Sequence, residues 1–91
     1  MQVNVFGKVN CAKCETTKHK VRHFLAKCGV AHAVALNFVD MDSIDGMAEG
    51  AFQDVHQIPT TIIEADGQAI ARWDGAIPDS KALKAHFIGR A

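Results

Sequence analysis

The sequence predicts a single α/β domain over residues 1–91 with the element order βαβαββα. Three observations carry this prediction: a helical pattern lies between two strand-like apolar runs, an Asp-Gly pair joins two further strand-like runs, and a last helical pattern follows. With 91 residues, 48% of them hydrophobic, the chain has room for one packed core. No internal repeat, low-complexity segment or long linker divides it.

The first strand is the apolar run Val3–Gly7, and the turn after it leads into a helix with Asn10 as the predicted N-cap. The helix extends from about Cys14 to Cys28, because apolar residues recur on one face at helical spacing. Gly29 is placed to end the helix. The predicted buried face consists of Cys14, Val21, Phe24, Leu25 and Cys28.

Residues 33–39, Ala-Val-Ala-Leu-Asn-Phe-Val, predict the second strand. A nearly continuous apolar run is typical of a strand that is covered on both faces in a parallel sheet. Cap-forming residues around Ser43 then open a short second helix, which ends before Pro59 because proline disfavours helical geometry in the residue ahead of it. The apolar residues that repeat at helical spacing are Met47, Ala48, Ala51, Phe52 and Val55.

A hairpin and a third helix complete the chain. The β-branched run Thr60–Ala65 and the run Gln68–Trp73 flank an Asp-Gly pair, which is a strong hairpin signal. The third helix begins at Pro78 or Asp79. Its predicted buried side consists of Leu83, Phe87 and Ile88.

Cys11 and Cys14 stand at the start of the first predicted helix and carry the chemistry of the sequence. Residues three apart on a helix have Cβ atoms roughly 5–6 Å apart, close to what a disulfide needs, so the pair can open and close with little backbone movement. Unpaired N–H groups at the helix start stabilise a Cys11 thiolate, and Lys13 adds a positive charge that is predicted to tune its pKa. A thiolate attacks disulfides or binds soft metal ions, so both chemistries stay open.

Composition argues against several other classes of protein. Ten basic side chains balance ten acidic ones, and no basic block or aromatic stripe indicates a nucleic acid or a membrane surface as partner. No apolar run approaches the roughly 18 residues of a membrane span, and the N-terminus enters a strand without a secretion signal, so a cytoplasmic location is expected. A CxxC pair in a reducing compartment is more often catalytic or metal-binding than structural.

Three short segments, each next to a predicted strand, carry a family resemblance. They are Cys11-Ala12-Lys13-Cys14, Ile58-Pro59-Thr60 and Gly75-Ala76. Their placement resembles the three active-site loops of the thioredoxin/glutaredoxin superfamily, and the resemblance covers almost the whole chain. It implies a small thioredoxin-like fold in which a four-stranded mixed sheet is flanked by three helices.

The resemblance also implies roles for these residues. Cys11 attacks a target disulfide and Cys14 resolves the mixed disulfide, while a cis Pro59 turns the backbone of Ile58 outward to pair with an extended substrate. The implied substrate-binding residues are Ile58, Pro59, Gly75 and Ala76. The implied partners are a disulfide-containing protein and an electron-donating reductase, with no cofactor and no metal, and a monomer is expected.

The sequence departs from the family pattern at three places. Asn10 stands where thioredoxins commonly have Trp, and Val5 stands where they have a buried acid that aids proton transfer. Gly75 is not followed by the second glycine and the acid that help glutaredoxins hold glutathione, so glutathione is a doubtful partner. The preferred interpretation is therefore a small thioredoxin-like disulfide reductase.

Two alternatives belong to other functional classes. The first 40 residues also look like the small ferredoxin-like copper and mercury carriers, in which a CxxC pair before a helix captures a soft ion. Those carriers have the element order βαββαβ, whereas a helix is predicted here after the second strand. The other alternative is a non-catalytic interaction domain with dispensable cysteines.

Overall fold

The computed structural model describes residues 1–88, and residues 89–91 of the expected single domain lie outside this description. The elements are β1 (Gln2–Gly7), α1 (Ala12–Lys27), β2 (Ala35–Asp40), α2 (Ile44–Phe52), β3 (Thr60–Ala65), β4 (Gln68–Asp74) and α3 (Ser80–Phe87). They form one four-stranded sheet of order β2-β1-β3-β4, in which β1 and β2 are parallel and the other neighbours antiparallel. The predicted element order and mixed sheet are confirmed.

The larger core lies on the sheet face that α1 and α3 cover. Strand residues alternate between faces, so Val3 and Val5 of β1 and Ile63 of β3 point to the same side. The buried residues of this cluster are Val3, Val5, Val21, Phe24, Leu25, Val30, Val34, Ile63, Leu83 and Phe87. Cys28 packs against the cluster in a half-buried position, and Gly29 ends the helix with a φ of +71°.

The predicted burial of Ile88 is wrong. Its side chain is 66% exposed, because α3 ends at Phe87 and the backbone of Ile88 is already extended. The extended backbone turns the side chain away from the face that Leu83 and Phe87 share.

α2 covers the other face, and it packs through two glycines. Gly46 and Gly50 are buried, and a Cβ added to Gly46 would overlap the carbonyl oxygen of Asp40. The apolar residues whose helical spacing predicts this helix do not form its packed face: Met47, Ala48, Ala51 and Phe52 are all exposed. Glycine carries no apolar side chain, so its burial leaves no mark in a hydrophobic pattern. The predicted Ser43 cap is confirmed, since its hydroxyl accepts a hydrogen bond from the N–H of Gly46 at 2.9 Å.

A polar ladder covers the remaining part of the α2 face. Asn37 of β2 donates to the side-chain oxygen of Asn4 of β1 at 2.9 Å, and Asn4 donates to the carboxylate of Glu64 of β3 at 2.6 Å. These three side chains lie across three neighbouring strands, β2, β1 and β3. The smaller apolar cluster of this face, next to α2, contains Phe6, Val55 and Ile62.

β2 lies at the edge of the sheet, and the prediction that both its faces are covered is wrong. Ala35 and Asn37 are exposed, because α2 and the polar ladder leave part of this strand open. The parallel pairing with β1 is as predicted. None of the helices in residues 1–88 is long and apolar enough to cross a membrane.

Arg72 of β4 ties the end of α2 to the sheet. Its guanidinium donates to the carbonyl oxygens of Gln53 at 2.5 Å and Asp54 at 2.8 Å, directly after the helix. The same side chain donates to the carboxylate of Asp74 at 2.9 Å. Arg72 therefore fixes the start of the segment that leads to Pro59.

Charged side chains are divided between the two sides of the sheet. The basic residues of α1 and α3 are Lys13, Lys18, Lys20, Arg22, Lys27, Lys81 and Lys84. The acidic residues of α2 and its flanking turns are Asp40, Asp42, Asp45, Glu49 and Asp54. Charges of opposite sign also occur on each side, among them Glu15 on α1 and Lys8, which pairs with Asp42 at 3.4 Å.

Candidate active site

Cys11 and Cys14 are joined by a disulfide at the start of α1, with Cα atoms 5.2 Å apart. Cys11 is the N-cap residue, so the prediction of Asn10 is wrong. Its backbone is extended, with φ −114° and ψ 109°, its sulfur accepts a hydrogen bond from the N–H of Cys14 at 3.1 Å, and its carbonyl accepts from Glu15 at 3.0 Å. The sulfur of Cys11 therefore lies at the unpaired N–H groups of the helix.

The two cysteines differ in exposure. Cys14 is 0% exposed, whereas Cys11 is partly exposed. Cys14 can pack closely against β1 because Gly7 lacks a side chain: a Cβ added to Gly7 would lie 2.8 Å from the Cys14 sulfur. The pair is thus asymmetric, as the helical pattern of the sequence predicts.

The loop before β3 lies at the same end of the sheet as this pair, because β1 and β3 are antiparallel. The Ile58–Pro59 peptide bond is cis, as the resemblance implies, with Pro59 buried and Ile58 partly exposed. The hydroxyl of Thr60 donates to the carbonyl of Gln57 at 2.7 Å and fastens the loop to the start of β3.

Gly75 connects all three predicted loops. Its N–H donates to the carbonyl of Pro59 at 2.8 Å, and its own carbonyl accepts from the ammonium of Lys13 at 2.7 Å. Its φ of +69° favours glycine, and the side chain of Gln57 occupies the place that a Cβ would take. Ala76 follows in an exposed position. The structure therefore brings the three sequence segments together at one end of the sheet.

An apolar groove next to Ile58 is a feature that sequence reasoning missed. It has a volume of about 330 Å³ and lies between α2 and the segment that precedes Pro59. Its lining is mostly apolar and consists of Lys8, Met41, Met47, Val55, His56, Gln57 and Ile58. The sequence marks Met47 only as one of the apolar residues at helical spacing, and nothing in it indicates that this side chain lines a groove at the surface.

Two findings bear on the alternative of a metal carrier. Within residues 1–88, no group of three or more His, Cys, Asp or Glu side chains is arranged to hold a metal ion. α2 follows β2 directly, so the element order differs from the βαββαβ order of the ferredoxin-like carriers.

Comparisons with known proteins agree with this fold. Residues 1–87 match the thioredoxin domain family. The structure is similar to thioredoxin 1 of Thermosipho africanus, with a TM-score of 0.75 and 19% identity over 94% of this chain and 90% of the other. It is also similar to oxidised mitochondrial thioredoxin 3 of Saccharomyces cerevisiae, with a TM-score of 0.71 and 21% identity over 94% of this chain and 74% of the other. The search of curated proteins gives no match.

Proposed function

The chain belongs to the thioredoxin domain family, and we propose that it reduces protein disulfides through a Cys11/Cys14 dithiol-disulfide cycle. The observation that carries the proposal is the asymmetric pair at the start of α1, in which one sulfur is accessible and the other is buried. An accessible thiolate can attack a target, while a protected neighbour can only react inside the protein. The family and the CxxC pair support a thiol-disulfide oxidoreductase in general.

In the proposed cycle, the Cys11 thiolate attacks a disulfide of the target protein. One sulfur of the target leaves as a thiol after taking up a proton, and the other is held in a mixed disulfide with Cys11. Cys14 loses its proton and attacks the Cys11 sulfur, so that the Cys11–Cys14 bond forms and the second target thiol is released. An electron-donating reductase then returns two electrons and two protons to the pair.

Target docking is proposed at the surface formed by Ile58, Pro59, Gly75 and Ala76. The backbone of Ile58 lies beside the groove next to α2, so an extended target segment could pair with this backbone and place an apolar side chain in the groove. Main-chain pairing does not depend on the side chains of the target, which supports recognition of many sequences.

Lys13 is proposed to tune the reactivity of Cys11. A cysteine at a helix start beside a positive charge can have a pKa of roughly 3.5–7.5, against about 8.5 for a free thiol. The ammonium of Lys13 is held on the carbonyl of Gly75 at 2.7 Å, so its charge is kept at the site. Replacing Lys13 by Glu should raise the pKa of Cys11 and lower the reduction potential; unchanged values of both would contradict the tuning role.

The first test is alkylation of the reduced, metal-free protein as a function of pH, with each labelled cysteine identified. We expect Cys11 to react fast with a depressed pKa, while Cys14 and the half-buried Cys28 stay protected. Equal reactivity of Cys11 and Cys14 with ordinary pKa values would contradict the proposal. Protection of both sulfurs by one equivalent of a soft metal ion would favour a metal carrier instead.

The second test is the capture of targets by Cys14→Ser. Without the resolving sulfur, the mixed disulfide at Cys11 should persist and be released only by an external reductant. Cys28→Ser is the matched control, and it should keep full turnover because Cys28 packs against the core away from the pair. Turnover by Cys11→Ser at the wild-type rate would overturn the proposed cycle.

A further inference from the structure

Thr61 on β3 carries a buried hydroxyl that has no hydrogen-bond partner within residues 1–88. The other two buried threonine hydroxyls described below are paired: Thr17 donates to the carbonyl of Lys13 at 2.9 Å, and Thr60 donates to the carbonyl of Gln57 at 2.7 Å. A buried polar group without a partner costs free energy, so an unpaired hydroxyl in a core calls for an explanation.

Thr61 and Cys14 lie on the same face of the sheet. Thr61 is directly opposite Val5 of β1, and Gly7 is two residues further along β1, so Gly7 is on the same face as Val5. Such diagonal neighbours on paired strands lie about 7–8 Å apart. The Cys14 sulfur packs over Gly7, where an added Cβ would lie 2.8 Å from it. The Cys14 sulfur is therefore buried on the same face of the sheet as Thr61, over the diagonal neighbour of Thr61.

The other members of the strand row that contains Thr61 are apolar. The cross-strand row that contains Thr61 consists of Phe38, Val5, Thr61 and Trp73, one residue from each strand. Thr61 is thus the polar member of this row, next to the position over which the buried sulfur packs. In an apolar interior, a hydrogen bond to a charged acceptor is stronger than in water.

We propose that the Thr61 hydroxyl donates a hydrogen bond to the Cys14 sulfur once the disulfide is open, and that it stabilises the Cys14 thiolate when this sulfur resolves the mixed disulfide. In the disulfide form, the Cys14 sulfur is bonded to Cys11 and is a weak acceptor. Reduction breaks that bond, adds two electrons and two protons to the pair, and turns Cys14 into a thiol. This inference rests on the proposed dithiol-disulfide cycle.

The hydroxyl acts in the resolving step. The proton of Cys14 passes by way of solvent to the departing target sulfur, the Cys11–Cys14 bond forms, and the bond between Cys11 and the target breaks. While the Cys14 sulfur is negative, the Thr61 hydroxyl is its donor. When the disulfide has formed, the hydroxyl is again unpaired, so Thr61 favours the reduced form twice: it stabilises the dithiol and it destabilises the disulfide.

The test is Thr61→Val, which removes the hydroxyl and keeps the shape of the side chain. We expect a higher pKa of Cys14 and a longer lifetime of the mixed disulfide. In equilibrium with a glutathione buffer, the disulfide form should be favoured about tenfold more than in the wild type, which corresponds to a potential about 30 mV lower. The oxidised variant should unfold at a higher temperature than the oxidised wild type. The unfolding temperature of the reduced variant should rise less than this, or fall, relative to the reduced wild type.

Two further variants separate this role from a structural one. Thr61→Ser keeps the hydroxyl and should restore the pKa of Cys14 and the redox equilibrium. Thr17→Val removes a buried hydroxyl that already has a partner on the same helix as Cys14, so it should lower stability in both redox states and leave the equilibrium with glutathione unchanged.

The proposal is overturned if Thr61→Val leaves both the pKa of Cys14 and the glutathione equilibrium unchanged, or if Thr17→Val shifts them equally. The redox equilibrium is measured without any target protein. A shift in Thr61→Val together with a wild type that reduces no protein disulfide would therefore reject the proposed function and leave the role of Thr61 standing.

Discussion

The two faces of the sheet are packed by different kinds of residue. Among residues 1–88, the buried apolar cluster under α1 and α3 contains ten residues, whereas the cluster under α2 contains three. The α2 face relies instead on two glycines, a ladder of Asn and Glu side chains, and the guanidinium of Arg72. Apolar burial is roughly proportional to area, so the first face supplies most of the stability.

This difference indicates that the two faces have different roles. The α1/α3 face supplies most of the stability, and the α2 face positions the loop of the candidate site. α2 leads directly into the segment that contains the cis Ile58–Pro59 bond, and Arg72 holds the start of that segment. Polar contacts are directional, so they fix the loop at a defined position even though each contributes little stability. Mutations on the two faces should therefore have different consequences.

The largest expected effect is that of Phe87→Ala, in the core of the α1/α3 face. Phe87 is 0% exposed, and truncation of a buried phenylalanine typically costs about 3–5 kcal/mol. The control is Phe52→Ala on α2, where the side chain is 82% exposed and the loss should stay within about 0.5 kcal/mol. Chemical denaturation measures both, and equal losses would remove the contrast between the faces.

Gly46→Ala should destabilise the protein by about 1–3 kcal/mol, because the new Cβ would collide with the carbonyl oxygen of Asp40. Helix propensity alone predicts the opposite sign, a gain of about 1 kcal/mol. Ala48→Gly, at an exposed position of the same helix, should show the ordinary propensity loss of about 1 kcal/mol. A stabilised Gly46→Ala would mean that α2 does not depend on close approach.

Asn4→Ala should lower the free energy of unfolding by about 1–3 kcal/mol, since it removes the amide that donates to the partly buried Glu64 carboxylate and one acceptor of the Asn37 amide. Asn4 is 8% exposed, whereas Asn37 at the edge of the ladder is exposed. Asn37→Ala is the control and should cost less. If Asn37→Ala lowered stability as much as Asn4→Ala, the ladder would not be a desolvated network.

The smallest loss of global stability is expected for Arg72→Met. Its free energy of unfolding should fall by about 1 kcal/mol, because the guanidinium is partly exposed. Its local effect should be larger: amide hydrogen exchange of residues 53–58 should speed up relative to the core strands. Exchange that accelerates evenly over the whole chain would show that Arg72 supports global stability instead of this segment.

Much of the fold could be predicted because it is encoded by local apolar patterns. The alternation in β1, the periodicity of α1 and the Asp-Gly hairpin each depend on a few neighbouring residues. The cis bond at Pro59 followed from family resemblance, since nothing in Ile-Pro itself requires it.

The errors arise where packing depends on distant residues. The glycines of α2 pack because the Asp40 turn lies beneath them, and β2 is partly open because α2 leaves Ala35 and Asn37 uncovered. Both facts depend on the arrangement of elements that lie apart in the sequence. The local sequence pattern also does not predict that Thr61 lies opposite Val5, because this depends on the register between β1 and β3.

The division of charge between the two sides of the sheet gives the molecule an electric dipole moment, although its formal net charge is +0. Most charges of the α1/α3 side are positive, and most of those around α2 are negative. The resulting electric field orients a charged partner as it approaches. Screening is strong beyond the Debye length of about 8 Å at physiological salt. Association rates with charged partners should therefore depend on ionic strength, a behaviour that the net charge alone does not indicate.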